Sequence, residues 1–136
     1  MSESTEQQDI TGIRVAIVDD AKTIRMMMSH TLKRMGCEVE CAEDGYQALG
    51  MLRRFRPQIV FLDISMPELD GYQTCTLIRN AEETRDIPVI LLSSSDGIFD
   101  IARGQARGAT AHVSKIPADP VLRQLIYEHT RVGAAA

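Results

Sequence analysis

An apolar run that ends at a single carboxylate is the feature that most constrains the fold. Ile59-Val-Phe-Leu leads directly into Asp63, and a turn at Pro67 follows. Apolar residues without polar alternation are typical of a strand buried on both faces, as in a parallel sheet covered by helices. Ligands bind at the carboxyl ends of such strands, so Asp63 is a candidate site residue. On this segment alone, a role as a helix cap is equally compatible.

Length and composition predict one globular domain and limit its partners. The chain has 136 residues, of which 44% are hydrophobic and 25% charged. No apolar run approaches the ~18 residues of a membrane span, and the acidic start does not resemble a secretory signal, so we expect a cytoplasmic protein without membrane insertion. The net charge of −4 argues against direct nucleic-acid binding. An odd number of cysteines without zinc-site spacing indicates free thiols.

Similar apolar runs recur along the chain, separated by segments with helical periodicity. Strands are predicted at 13–18, 37–42, 58–63, 87–92 and 109–114, and helices at 21–35, 44–55, 70–80, 96–107 and 119–130. Strict alternation of this kind predicts an α/β fold in which helices cover both faces of a doubly wound parallel sheet. The flavodoxin-like strand order would be 2-1-3-4-5.

Domain boundaries follow from the ends of this pattern. Residues 1–11 are polar and predict a flexible tail, residues 12–131 form the domain, and residues 132–136 predict a frayed end. Glycine inside a helix costs about 1 kcal/mol relative to alanine. Because Gly97 and Gly104 both fall in the helix at 96–107, we expect it to be the least stable of the five.

Polar groups suited to phosphoryl chemistry end four of the predicted strands. Asp19 and Asp20 follow the first strand, Asp63 ends the third, and Ser93 and Lys115 follow the fourth and fifth. The order 2-1-3-4-5 makes the first and third strands neighbours, which brings the three carboxylates together. Such a cluster raises a carboxylate pKa or holds a cation, and its hard oxygen donors suit Mg²⁺. Asp63 could attack a phosphoryl group whose oxygens Mg²⁺, Lys115 and Ser93 neutralise.

Three motifs carry a resemblance to a known family. They are Val-Asp-Asp at 18–20, Asp-Ile-Ser-Met-Pro-Glu-Leu-Asp-Gly at 63–71 and Pro-Val-Ile-Leu-Leu-Ser-Ser at 88–94, followed by the strand that leads to Lys115. Over about residues 13–131 the chain resembles the receiver domains of two-component response regulators.

The resemblance implies a function and a metal site. Asp63 would accept a phosphoryl group from a histidine kinase, and no activity beyond self-phosphorylation and autodephosphorylation is expected. Mg²⁺ would be bound by Asp63, by Asp20, by Asp19 through a water, and by the backbone carbonyl of Ser65.

The resemblance also implies a switch. Ser93 would be the hydroxyl that turns toward the phosphoryl group, and Lys115 would form an ion pair with it. His112 occupies the place of an aromatic ring that swings inward on activation. The face formed by the fourth helix, fifth strand and fifth helix would bind a downstream protein, and the chain is expected to be a monomer or a weak homodimer.

Two positions depart from the family pattern. Receivers usually have a proline in a cis peptide directly after the lysine, whereas here Ile116 separates Lys115 from Pro117. A non-proline cis bond costs about 2.5–4 kcal/mol, so a different loop is expected to hold Lys115. His112 is smaller and more polar than the usual ring, and a strand histidine without a switching role is an equal expectation.

Other readings remain open at this point. The segments at 19–25, 70–75 and 93–100 are similar to stand-alone receivers of the chemosensory system that controls type IV pilus twitching motility. A degenerate receiver that binds proteins without being phosphorylated is the principal alternative. A magnesium-dependent phosphohydrolase is disfavoured, because such enzymes need a second acid where this chain has Ser65, and a cap domain besides.

Overall fold

A parallel sheet lies between two layers of helices. The structure, a computed structural model, describes residues 8–94 and 98–132, including all of their side chains except those of residues 98–100 and 132. The strands are β1 (Arg14–Val18), β2 (Glu38–Ala42), β3 (Ile59–Asp63), β4 (Val89–Ser93) and β5 (Ala111–Ser114). The helices are α1 (Lys22–Arg34), α2 (Gly45–Phe55), α3 (Gly71–Asn80), α4 (Ile98–Ala106) and α5 (Asp119–Ile126). The strand order β2-β1-β3-β4-β5 confirms the predicted fold.

The ends of some elements differ from the prediction. Helix α5 stops at Ile126 and passes into a π-helical segment, Tyr127–Val132. The predicted start of the fourth helix at Asp96 lies outside the described residues, as do segments 1–7 and 133–136. Within the described part of the chain, no helix has both the length and the apolar character needed to cross a membrane.

The three central strands are buried on both faces, which explains their continuous apolar runs. All five residues of β3 and of β4 are buried. Successive side chains point to opposite faces of the sheet, so each strand contributes to two cores. One core contains Val60, Leu62 and Leu91 with residues of α2 and α3, and the other contains Phe61 and Ile90 with residues of α1 and α5.

Aspartate caps fix the starts of two helices that follow the sheet edge. Asp44 accepts a hydrogen bond from the backbone N–H of Gln47 at 2.7 Å at the start of α2. Asp70 and Gln73 form a capping box at the start of α3, with bonds of 2.8 and 3.0 Å. Such caps satisfy N–H groups that a helix leaves unpaired, and each contributes about 1 kcal/mol.

The chain joins the fold earlier than the sequence predicted. Ile10 is fully buried in the core under α1 and α5. The backbone N–H of Gly12 donates to the carbonyl of Gly36 at 2.8 Å, and Arg131 donates to the carbonyl of Thr11 at 2.6 Å. The predicted boundary at residue 12 is therefore wrong for residues 8–11, because one apolar side chain inside a polar segment carries that segment into the core.

Replacing Ile10 by alanine is expected to lower the free energy of unfolding by about 2–4 kcal/mol, because it leaves a cavity in a packed core. Denaturant unfolding of the full chain measures this change. Met26→Ala serves as the control, since the Met26 side chain is 60% exposed. Equal midpoints for Ile10→Ala and the wild type would mean that the N-terminal segment does not contribute to the core.

Candidate functional site

The sheet brings three carboxylates together at the carboxyl ends of β1 and β3. One carboxylate oxygen from each of Asp19, Asp20 and Asp63 lies within 4.8 Å of the other two. Asp19 and Asp63 are buried, whereas Asp20 is exposed. The neighbouring β1 and β3 run parallel and in register, with Val18 opposite Leu62, so their terminal aspartates meet at one edge.

Lys115 places a positive charge between the two buried carboxylates. Its Nζ lies 3.0 Å from Oδ2 of Asp19 and 3.0 Å from Oδ1 of Asp63. Its backbone N–H donates to the carbonyl of Ser93 at 2.8 Å, which continues the pairing of β4 with β5.

The position of Lys115 corrects one expectation from the sequence. We expected a different loop around Lys115 because proline is displaced to position 117. The Lys115–Ile116 peptide bond is cis, and Pro117 is buried. The pairing of β5 with β4 holds the lysine in place, so the displaced proline does not move its ammonium away from the carboxylates.

The two carboxylate oxygens of Asp63 have different surroundings. Oδ1 accepts a hydrogen bond from the backbone N–H of Ser65 at 3.1 Å and contacts Lys115. Oδ2 is buried and has no hydrogen-bond partner among the described residues. A buried charged oxygen without a partner is costly, so Oδ2 is the atom of this site that most needs a cation or a covalent change.

Electrostatics at the site oppose full ionisation of Asp63. Burial raises the pKa of Asp63 from 3.8 to about 6, and the charge of Asp19 acts in the same direction, whereas Ser65 and Lys115 act against it. Burial alone would lower the pKa of Lys115, but hydrogen bonds to Asp19 and Asp63 and their charges outweigh it and raise that pKa. The cluster therefore has more negative charge than its own lysine compensates.

Glycine at position 71 allows α3 to approach the site. A Cβ at Gly71 would overlap the backbone carbonyl oxygen of Asp63 and lie 2.6 Å from Cα of Ile64. The N–H of Gly71 donates to the carbonyl of Ile64 at 3.1 Å. The loop after the candidate nucleophile is thus held directly against the start of α3, which explains the glycine that ends the 63–71 motif.

The remaining predicted residues lie around this cluster. Ser93 ends β4 and is buried, and Ser65 is exposed two residues beyond Asp63. His112 lies on β5 opposite Leu91 of β4. Both of its ring nitrogens are buried and have no hydrogen-bond partner in the described part of the chain.

Sequence reasoning missed Arg25 as a part of the site. Its Nη1 donates to the backbone carbonyl of Asp19 at 2.7 Å. A signal was present, since the first turn of α1 contains Lys22 and Arg25 but no acidic residue. Cations are unfavourable near the N-terminus of a helix, which is the positive end of its dipole. Basic residues at that position therefore indicate a role other than helix stability.

The donor set determines which cation the site could hold. It consists of carboxylate oxygens, two of them (Oδ2 of Asp19 and Oδ2 of Asp63) buried without a hydrogen-bond partner among the described residues, and an exposed Asp20 that remains open to solvent. Hard divalent cations prefer such oxygen ligands, and Mg²⁺ also keeps several waters. The residues present therefore fit Mg²⁺ in preference to softer metals.

Comparison with known proteins identifies the family. Residues 15–127 match the response regulator receiver domain. The chain belongs to this family, whose members are signalling proteins.

Two relatives of this chain differ in how much of their own length it matches. Protein PilG of Pseudomonas aeruginosa is 46% identical over 109 residues, which are 80% of this chain and 81% of PilG. Response regulator MprA of Mycobacterium sp. (strain KMS) is 33% identical over 103 residues, 76% of this chain but 44% of MprA. The chain therefore matches most of PilG and less than half of MprA.

A solved structure agrees with the fold. Chemotaxis protein CheY4 of Vibrio cholerae superposes with a TM-score of 0.82 at 30% identity, covering 87% of this chain and 98% of CheY4. The receiver identity thus rests on sequence and on structure.

Metal-free Asp63→Asn protein is expected to be more stable than the wild type at pH 8, by about 1–3 kcal/mol. The folded-state pKa of Asp63 is raised to about 6 from 3.8, so its favourable contribution is complete below pH 3.8 and is lost as the pH rises through about 6. Asparagine cannot ionise and escapes this loss. Denaturant unfolding in EDTA at pH 5 and pH 8 measures the difference, which should be smaller at pH 5.

Asp86→Asn provides the matched control, because Asp86 precedes β4 and lies at the opposite edge of the sheet. It should leave the pH dependence unchanged. If Asp63→Asn lowered stability equally at both pH values, the ionised carboxylate would be stabilising and the interpretation of the cluster would be wrong.

Proposed function

We propose that this chain is a single-domain response regulator that accepts a phosphoryl group on Asp63 from a histidine kinase in a Mg²⁺-dependent reaction. The observation that carries the proposal is the buried Oδ2 of Asp63, which lacks a hydrogen-bond partner among the described residues and lies within an acidic cluster beside Lys115. A carboxylate oxygen in this position can act as a nucleophile toward phosphorus.

Each residue of the cluster has a defined part in this proposal. The Nζ of Lys115, now paired with Oδ1 of Asp63, would form an ion pair with the phosphoryl group and reduce its charge. The hydroxyl of Ser93 would donate a hydrogen bond to a phosphoryl oxygen. Positioning and charge neutralisation are the main needs of phosphoryl transfer, since the protein performs little other chemistry in it.

The proposed metal ligands are Asp19, Asp20, Asp63 and the backbone carbonyl of Ser65. Receiver domains bind Mg²⁺ at an acidic pocket, and the oxygen donors found here fit that ion. When bound, Mg²⁺ supplies positive charge to the phosphoryl oxygens. The role of Asp19 and Asp20 in this chain would then be to hold the ion next to Asp63, where its charge offsets those of the three carboxylates.

The signal is proposed to travel from Ser93 toward α4, β5 and α5. Phosphorylation adds about −2 charge, and Ser93 carries its hydroxyl at the end of β4, the strand next to β3. His112 on the adjacent β5 has two buried ring nitrogens without hydrogen-bond partners among the described residues, which is an unfavourable state and supports this ring as a moving part of the switch. The face formed by α4, β5 and α5 would then bind a downstream protein.

The pathway is proposed from likeness to PilG. The 46% identity covers four-fifths of both chains, so a role in chemotaxis-like control of type IV pilus twitching motility is the best-supported assignment. We propose that the chain acts as a monomer or a weak homodimer. The position of Lys115, 3.0 Å from both buried carboxylates, favours an active phosphoacceptor over a degenerate receiver.

Incubation with acetyl phosphate and Mg²⁺ is expected to add one phosphoryl group to the wild type, detectable by intact-protein mass spectrometry. Asp63→Asn should abolish the addition, because the amide is not a nucleophile, whereas Asp86→Asn should react like the wild type. Addition of a phosphoryl group to Asp63→Asn would place the acceptor elsewhere. No addition to the folded wild type with any phosphodonor would support a degenerate receiver.

Beryllofluoride with Mg²⁺ is expected to shift the backbone amide signals of Ser93 and of residues 101–115, if α4 and β5 form the switch. The shifts should be absent in Asp63→Asn. His112→Phe, which removes both unpartnered nitrogens, should retain them if the ring moves inward as a hydrophobic group. Unchanged signals across β5 in the saturated wild type would show that this face does not respond.

A further inference from the structure

Arg25 connects α1 to the acidic cluster without touching a cluster carboxylate. Its Nη1 donates to the backbone carbonyl of Asp19 at 2.7 Å, and its Nη2 lies 3.9 Å from Oε2 of Glu43. The Arg25 side chain is only 17% exposed, whereas that of Glu43 is 60% exposed. The guanidinium is therefore packed between the loop after β1 and the loop after β2.

The start of α1 breaks two local rules at the same place. Ala21 is the N-cap and its side chain makes no capping hydrogen bond, although polar caps are strongly preferred. The first turn also contains cations and no acid, which the helix dipole disfavours. Helical side chains tilt toward the N-terminus, so a long side chain at position 25 can reach back to the loop. The start of α1 is therefore less stable on its own than a capped start would be, and the same turn provides the contact between Arg25 and Asp19.

Each polar group of Asp19 makes a contact, and together these contacts restrain the orientation of the residue. Its N–H donates to the carbonyl of Ala42 at 3.1 Å, and its Oδ1 accepts from the N–H of Ala21 at 2.9 Å. Its Oδ2 contacts Lys115 and its carbonyl accepts from Arg25. Asp20 follows directly, so the backbone that Arg25 holds also determines where the Asp20 carboxylate points.

We propose that Arg25 is a positioning residue that holds the Asp19–Asp20 backbone in the conformation that presents these carboxylates to a divalent cation. This inference rests on the proposed Mg²⁺-dependent function. Arg25 would act in the way that partners of metal ligands orient those ligands in other sites, and the Glu43 carboxylate, 3.9 Å from Nη2, adds a weaker ion-pair contact to the guanidinium.

Positioning and simple electrostatics predict opposite results when the charge is removed. If Arg25 acted only as a nearby positive charge, it would repel Mg²⁺, and its removal would strengthen binding. If Arg25 positions the loop, its removal weakens binding even though a repulsive charge is lost. Mg²⁺ affinity therefore separates the two roles by its direction of change.

The test compares Arg25→Gln and Arg25→Lys with the wild type by Mg²⁺ titration at constant ionic strength, followed by amide NMR. Arg25→Gln is expected to raise the Kd about tenfold, as is typical when the partner of a metal ligand is lost. Arg25→Lys retains the charge but loses the planar fork, so a smaller increase is expected. Arg54→Gln is the control, because it removes an equal charge from an exposed arginine paired with Glu40.

A second measurement does not depend on the metal. In EDTA, hydrogen exchange of the Ala21 amide, which donates to Asp19, should be about tenfold faster in Arg25→Gln and unchanged in Arg54→Gln, because a released loop opens more often. Glu43→Gln should show a smaller effect in the same direction.

Contrary outcomes are distinguishable. An unchanged or lower Kd in folded Arg25→Gln would overturn the positioning role while leaving the proposed function intact. Failure of the wild type to bind Mg²⁺ would overturn the proposed function, and this inference with it. If Arg25→Gln does not fold, a wild-type Kd in Arg25→Lys overturns the positioning role and a raised Kd supports it.

Discussion

The ion pairs of Lys115 with two buried carboxylates are the interaction on which the site depends. Each carboxylate would be costly to bury alone, and one ammonium at 3.0 Å from both reduces that cost without removing it. The pKa of Asp63 remains raised to about 6 despite the lysine, so the negative charge of ionised Asp63 is unfavourable in the folded protein at neutral pH. A divalent cation or a covalent change at Asp63 can relieve this unfavourable charge, which is the physical basis of the proposed phosphoacceptor role.

The fold supplies this arrangement through strand order and register, independently of the surface loops. β1 and β3 are neighbours, and β4 with β5 continues the same edge, so four separate parts of the chain meet there. This explains why Lys115 is in place although Ile116 separates it from Pro117. The hydrogen bond from its backbone to Ser93 belongs to the sheet, whereas the proline belongs only to the loop beyond it.

The fold was predictable from the sequence because its strands have one strong signal, an apolar run that stops at a polar residue. The same signal placed Asp19, Asp20 and Asp63 at one edge, since strand polarity alone fixes which end carries ligands. Ile10 was not predictable, because a single apolar residue in a polar segment has no period. The orientation of His112 was not predictable either, because it depends on packing between β5 and its neighbours.

Arg25 shows why local rules are most informative where a sequence breaks them. An uncapped helix start with two cations is unfavourable on its own, and the hydrogen bond from Arg25 to the Asp19 carbonyl, six residues earlier, accounts for the cation at position 25. Gly71 is a second such position, since only a residue without a side chain lets α3 lie against the carbonyl of Asp63. Both exceptions act on the backbone carbonyl of an aspartate and not on its carboxylate. At both places a locally unfavourable residue type accompanies a close contact with the main chain beside the acidic cluster.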